Sequence, residues 1–290
     1  MSNRLSAEQV DGFREQGMLF PIDVITPDVA QSYLPKFELL RARMRPWCSA
    51  KQILKSHLVS TWVNELVREP CLLDAVEGLL GPDMLCWSAT FFAKRPGDES
   101  FVGWHQDITY WGLEPADDVV TAWLALSDAQ VDNGCMRVLP GSHRGTLRTH
   151  ENKFGTANML MSSQEVTLSH AEQDRVVYVP LEPGQASIHH SRLLHGSRSN
   201  PSSRPRVGLS INYIAAGVRQ TTNGGYDSAM LVRGVDRYGH FDLEPDPVAD
   251  FDEKAIEHYK KFIQTPSGVG RVGNQVDDKY INLDAISTGT

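Results

Sequence analysis

The sequence predicts a mainly β fold with flanking helices, on three observations. Apolar residues recur at helical spacing through roughly the first eighty positions. After Gly81 the texture changes to short runs of β-branched and aromatic residues. Clusters such as Asp132-Asn133-Gly134, Pro140-Gly141-Ser142 and Glu182-Pro183-Gly184 interrupt those runs and mark turns. Many short, evenly spaced strands suggest a closed or double-sheet β architecture, with the helical N-terminus packed on its outside.

Each element has a local signal. Ser6 opens the first helix in an S-x-x-Q start with Gln9; Val10, Phe13 and then Met18 are its apolar marks, and Gly17 stops it. Thr26-Pro27 opens a second helix carrying Val29, Tyr33, Phe37 and Leu40. A third is expected over 62–80, where Trp62, Leu66, Leu73, Val76 and Leu80 share a spacing that Gly81-Pro82 ends. Strands are expected near 84–93, 103–107, 121–126, 136–139, 175–179, 186–190 and 206–214. The polar, poorly periodic stretch 144–174 is a candidate lid. A last helix is expected near 252–262, with a loosely held tail after Pro266. One domain over 1–290 is the economical organisation: helical support over 1–82, a β core over 83–215, and a C-terminal helix and tail over 216–290.

Composition bounds the function. A chain of 290 residues with 41% hydrophobic and 22% charged residues is ordinary for a globular protein. The net charge of −8 argues against broad binding to nucleic acid or to an anionic membrane. No apolar run is long enough for a transmembrane helix, and the N-terminus lacks a signal-peptide core. Cys48, Cys71, Cys86 and Cys135 are scattered, which fits reduced thiols in a cytoplasm. A small-molecule partner is expected, and the oligomeric state stays open.

Trp104-His105-Gln106-Asp107 sets an imidazole and a carboxylate two positions apart. On a strand, alternation would turn His105 and Asp107 to one face, where both can reach one metal ion. Iron(II) oxygenases use two histidines and one carboxylate on one face, leaving positions open for co-substrate and oxygen. His189, His190 and His195 compete for the missing place. His195 is favoured, because the following glycine lets the backbone turn sharply and Leu193-Leu194 precede it; His190 stands second. A lone H-x-D is more often a solvated or hydrogen-bonded pair than a ligand set.

Arg206, eleven positions past His195, changes the odds. Alternation gives Arg206, Gly208, Ser210 and Asn212 one face and Val207, Leu209, Ile211 and Tyr213 the other. An inward arginine among small residues is costly unless an anion pairs with it, and its fork matches a carboxylate. A dicarboxylate chelating the metal at one end could set its far carboxylate on Arg206. A surface arginine is the plainer alternative, and Arg204 could exchange roles with it.

Together "WHQD", "TAWLALSDAQVDNGCMRVLPGSH" and "HGSRSNPSSRPR" resemble, in order and spacing, the phytanoyl-CoA dioxygenase superfamily of iron(II)/2-oxoglutarate oxygenases, over roughly residues 6–215. "GPDMLCWSATFFAKRPGDES" looks especially like the syringomycin-type iron halogenases. Those carry a small residue where this chain has Asp107, so the resemblance implies hydroxylation rather than halogenation. It further implies a double-stranded β-helix (a cupin-like jelly roll), with His105, Asp107 and His195 on iron and Arg206 on 2-oxoglutarate. Ser197 would assist Arg206, and Thr121 and Trp123 would line the same pocket. Fe(II), 2-oxoglutarate and O2 are the implied cofactor and co-substrates, with succinate and carbon dioxide released.

Other residues carry evenly balanced readings. Tyr110 and Trp111 are substrate-wall or core residues, and Asn212 could touch substrate through its shared face with Arg206. Either Lys94 or Arg95 could face the site, and Arg219, Arg233 and Arg237 could meet an anionic substrate or simply solvent. His57, His150, His170, His240 and His258 lack companions at ligand spacing, and Ser142-His143 belongs to a turn. The G-x-G-x-x-G at 268–273 follows no strand, so a dinucleotide site is disfavoured. A non-catalytic jelly-roll binder, a zinc hydrolase on the same triad and an acyl-CoA or carrier-bound substrate are the competing readings; the leading one is hydroxylation of a small polar amine, amino-acid-like, aminophosphonate or natural-product substrate.

Overall fold

The computed structural model describes residues 4–45, 52–152, 157–160, 164–222 and 227–264. Its first helices form where side chains satisfy their free N–H groups. In α1 (Ala7–Gln16) Ser6 Oγ accepts from the Gln9 N–H and Gln9 Oε1 accepts from the Ser6 N–H. Thr26 Oγ1 likewise accepts from the Val29 N–H at the start of α2 (Pro27–Met44). The helix expected over 62–80 is instead two, α3 (Thr61–Leu66) and α4 (Pro70–Leu80). Pro70 has no N–H to continue a helix, but its ring suits a first turn, so the chain restarts there.

Strands β1 (Met18–Asp23), β2 (Met84–Lys94), β3 (Val102–His105), β4 (Val119–Ala125), β5 (Met136–Val138), β6 (Val177–Val179), β7 (Gln185–His190), β8 (His195–Ser197), β9 (Arg206–Ala215) and β10 (Ser228–Arg233) form two sheets. The larger runs β1–β7–β4–β9–β2–β10 and the smaller β6–β5–β8–β3, with antiparallel neighbours throughout. Facing each other, they make the double-stranded β-helix. The sequence reading missed β1, β8 and β10. β1 contains Pro21 and a register shift between Leu19 and Ile22, which an edge strand tolerates; β8 is too short to show a period.

The outer face of the larger sheet is apolar. Val207, Leu209, Ile211 and Tyr213 of β9 are buried there against Phe37, Leu40, Trp62, Leu72 and Val76 of the N-terminal helices. A C-terminal helix, Glu253–Gln264, adds Tyr259, Phe262 and Ile263 to that core. Between the sheets, one apolar cluster holds Trp123, Met136, Val138 and Leu193, and a separate cluster packs Leu85, Val119 and Ile214 of the larger sheet against Ile108. In its described parts the stretch 144–174 is fastened along β3, the Met159 N–H bonding Phe101 O and the Val166 N–H bonding Trp104 O. Among the described residues no helix is long and apolar enough to cross a membrane, and Cys86 and Cys135 are buried free thiols. Cys48, the tail after Pro266 and the glycine motif at 268–273 lie outside the described residues.

Candidate metal centre

His105 on β3 and His195 on β8 lie directly opposite each other, with ring centroids 4.1 Å apart. Each ring is fixed from behind: Nδ1 of His105 donates to Gly103 O and Nδ1 of His195 to Leu193 O, both at 2.9 Å. Donation from Nδ1 leaves the Nε2 lone pair free to bind a cation. Gly196 does not serve as a turn. It sits inside β8, where a Cβ would come 2.7 Å from Val102 O on the neighbouring strand.

Strand alternation is not what brings Asp107 to His105. β3 ends at His105, and Asp107 has helical angles (φ −52°, ψ −47°) at the head of the short α5 (Ile108–Trp111). The carboxylate is therefore delivered by a strand-to-helix turn. Gln106 braces that turn, Nε2 donating to Arg192 O at 2.7 Å and Oε1 accepting from the Arg148 N–H at 2.8 Å. Asp107 Oδ1 lies 3.1 Å from His105 Nε2 and 3.7 Å from His195 Nε2. One donor atom from each of the three residues lies within 4.8 Å of the other two.

The larger sheet holds the other carboxylate oxygen. Thr121 Oγ1 donates to Asp107 Oδ2 at 2.9 Å and accepts from Asn212 Nδ2 at 3.0 Å. Asn212 thus reaches the centre through Thr121. Burial alone would raise the Asp107 carboxyl, but His195, His105 and His189 outweigh it and hold it well below the usual carboxylate range. Burial, with His105 beside it, pushes His195 well below the usual imidazole value. A carboxylate and neutral imidazoles are the protonation states a metal requires of such ligands. The donor set suits a divalent iron with open positions.

The same cavity has a cationic end. Arg206 is 2% exposed; its Nη1 donates to Gly134 O at 2.9 Å, its guanidinium lies 5.0 Å from the Trp123 ring centre, and its Nε has no hydrogen-bond partner. Directly across on β2, Lys94 is 1% exposed and donates to Ser197 Oγ at 2.7 Å and to Arg198 O. Burial and the neighbouring Arg206 push the Lys94 amine down to about 6, and burial pushes the Arg206 guanidinium down to about 10. Among the described residues no carboxylate forms an ion pair with either cation. A buried guanidinium without an anion is expensive, and a carboxylate ligand would pair with Arg206 and favour protonation of the Lys94 amine beside it.

His105, Asp107, His195, Thr121, Trp123, Ser197 and Arg206 line one cavity, joined by His189 and Ser210. Ser197 meets Lys94 rather than Arg206. Lys94, not Arg95, faces inward, and the exposed Arg204 pairs with Asp132 at 3.0 Å. Tyr110 and Trp111 stand outside this cavity, Tyr110 against His150 (5.3 Å between rings) and Trp111 against Trp87 (5.1 Å). His190 points elsewhere, with Nε2 3.2 Å from Asp117. Arg233 pairs with Asp74 and Glu77 and Arg237 with Asp83, whereas Arg219 lines a separate cleft of about 770 Å³ with Arg192 and His240. Ser142 and His143 are structural: Ser142 Oγ accepts from the Leu194 N–H and His143 Nε2 bonds Arg14 O.

Sequence reasoning missed one constellation. His57 Nε2 is 2.8 Å from Glu244 Oε2 and Lys55 Nζ is 2.5 Å from Glu244 Oε1, all fully buried. It ties an N-terminal segment to the residues after β10, and no local pattern could announce a contact across so long a separation.

A family model for phytanoyl-CoA dioxygenase (PhyH) matches residues 13–208. The peroxisomal phytanoyl-CoA dioxygenase of Homo sapiens is 25% identical over 240 residues, covering 74% of this chain and 70% of the human protein. A probable alpha-ketoglutarate-dependent hypophosphite dioxygenase of Stutzerimonas stutzeri is 30% identical over 191 residues, 62% of this chain and 64% of its own length. The solved structure of the non-heme monooxygenase ThoJ in its apo form superposes with a TM-score of 0.76 at 32% identity, covering 87% of this chain and 94% of ThoJ.

Proposed function

The chain belongs to the phytanoyl-CoA dioxygenase (PhyH) family, and on that premise we propose that it is an iron(II)/2-oxoglutarate-dependent dioxygenase hydroxylating an unactivated C–H bond of a small polar molecule. The observation that carries this reading is a single cavity with a His–Asp–His donor group at one end and the buried Arg206 at the other, where the cavity residue Ser197 accepts from the buried Lys94. His105, Asp107 and His195 would hold the iron. Arg206, with Lys94 and Ser197, would take the far carboxylate of 2-oxoglutarate, the unpartnered Arg206 Nε being free for it.

When bound, iron with 2-oxoglutarate and O2 supplies oxidising power for C–H attack while the co-substrate is decarboxylated to succinate. The protein's work is orientation and exclusion of water. The Gly103 and Leu193 carbonyls hold the two imidazoles. Thr121, held by Asn212, keeps Asp107 Oδ2 turned away from the donor group so that Oδ1 remains available. Retention of Asp107 favours hydroxylation, since the carboxylate takes the position a halide would need.

The cavity wall is mixed, Ser210 lying beside Phe92, Val102, Trp123 and Met136. We read the substrate as a small amine, amino-acid-like, aminophosphonate or natural-product molecule. We read 144–174 as the lid, fastened to β3, and the whole chain as one domain serving one site.

Anaerobic addition of iron(II) and then 2-oxoglutarate should produce a weak visible charge-transfer band, which Asp107→Ala and His195→Ala abolish. Succinate release across a library of polar substrates, followed by a product mass gain of one oxygen, would identify the substrate. A wild-type protein that gives neither band nor succinate sinks the proposal.

A further inference from the structure

His189 is the buried polar side chain of the cavity to which the oxygenase reading gives no task. It is 2% exposed, and both ring nitrogens lack a hydrogen-bond partner. Its nearest anionic neighbour is Asp107 Oδ2, 3.5 Å from Nε2, an oxygen already bonded by Thr121 at 2.9 Å. The ring packs 4.4 Å from that of His195, yet His189 stands outside the group whose donor atoms converge. The next residue shows that this is particular to the cavity: His190 Nδ1 accepts from the Arg192 N–H at 3.0 Å, and its Nε2 faces Asp117.

An imidazole buried with no hydrogen bond on Nδ1 and only a 3.5 Å contact from Nε2 to a carboxylate oxygen recovers little of its lost hydration, so a ligand atom is the natural partner. Position indicates which atom. His189 pairs with Thr121 across β7 and β4, level with Asp107, whereas Arg206 and Lys94 pair with each other at the cationic end. A dicarboxylate reaching that end with one carboxylate presents its other end to His189.

We propose that His189 binds the 2-oxo-carboxylate end of 2-oxoglutarate, one ring N–H donating to an oxygen at that end. This rests on the oxygenase reading above. It makes His189 a second recognition point, opposite Arg206, that fixes how the co-substrate enters the metal's open positions.

The test compares wild type, His189→Phe and His189→Gln without oxygen, titrating iron(II) and then 2-oxoglutarate and recording the visible band. His189→Phe keeps bulk but loses the N–H. It should weaken 2-oxoglutarate binding about tenfold and displace the band, leaving iron(II) affinity within about twofold. His189→Gln, which can still donate, should recover most of the affinity. An unchanged band and 2-oxoglutarate affinity in His189→Phe overturns the proposal, as does a loss confined to iron affinity. Should His189→Phe not fold, His189→Leu replaces it against His189→Gln, and equal affinities overturn the idea. A wild type without any band removes the oxygenase reading itself; a band indifferent to position 189 removes only this role.

Discussion

Replacing Arg206 by methionine separates recognition from stability. Arg206 is 2% exposed, bonds Gly134 O and lies over Trp123, with no carboxylate in ion-pair contact among the described residues. Removing one partner of a buried, hydrogen-bonded charge pair costs about 2–5 kcal/mol of binding. Lys94 remains beside the ligand. The lower part of that range therefore applies, about 2–3 kcal/mol, a rise in 2-oxoglutarate Kd of roughly 30- to 150-fold. Folding stability should respond far less. The lost hydrogen bond and cation–π contact cost about 1 kcal/mol each, while relief of an unpaired buried cation works the other way. Anaerobic titration gives the Kd, and thermal unfolding without ligand gives the stability. An Arg206→Met protein that binds 2-oxoglutarate within about threefold of wild type refutes the assignment of Arg206.

Three further outcomes are expected. Lys94, held at about 6 by burial and Arg206, is mostly neutral in the free protein at pH 8, and a carboxylate bound beside it would raise its pKa. Binding then takes up a proton, so 2-oxoglutarate affinity should rise as pH falls from 8, by at most about tenfold per unit, and level off below 6; Lys94→Met should remove that slope. At Gly208 a Cβ would overlap the Trp123 indole, so Gly208→Ala should cost about 1–3 kcal/mol in urea unfolding and weaken 2-oxoglutarate binding by displacing Trp123 from beneath Arg206. Burial alone would raise Glu244, but Lys55 and His57 hold it down to about 2, and burial depresses His57 below its ordinary 6.5. The unfolded chain therefore takes up protons that the folded one refuses, and stability should fall as pH drops below 6.5 and further between 4.5 and 2. Lys55→Met, which leaves a buried carboxylate without its cation, should cost about 3–5 kcal/mol at pH 7, measured by urea unfolding.

Local chemistry made much of this molecule legible. The Ser6–Gln9 and Thr26 caps start their helices because each is a contact within one turn. The faces of β9 follow from alternation alone: Leu209, Ile211 and Tyr213 lie in the helix-covered core, and Arg206 and Ser210 line the cavity. Errors arose where a local rule met a long-range constraint. A proline split a helix that spacing had joined, and a turn ended β3 before alternation could deliver Asp107.

By itself the sequence determined the mainly β class, the helical cover, and the small set of residues able to make a metal and carboxylate site. Only the tertiary structure decided which of them meet. His195 rather than His190 stands beside Asp107, because β8 pairs with β3 and the two histidines of β7 face opposite ways. Lys94 rather than Arg95 joins Arg206, and His189 comes level with Thr121, through strand register. Lys55, His57 and Glu244 meet through packing alone. Alternation tells which face a side chain takes, but pairing between distant strands sets what it faces, and a shift of one residue would reverse it.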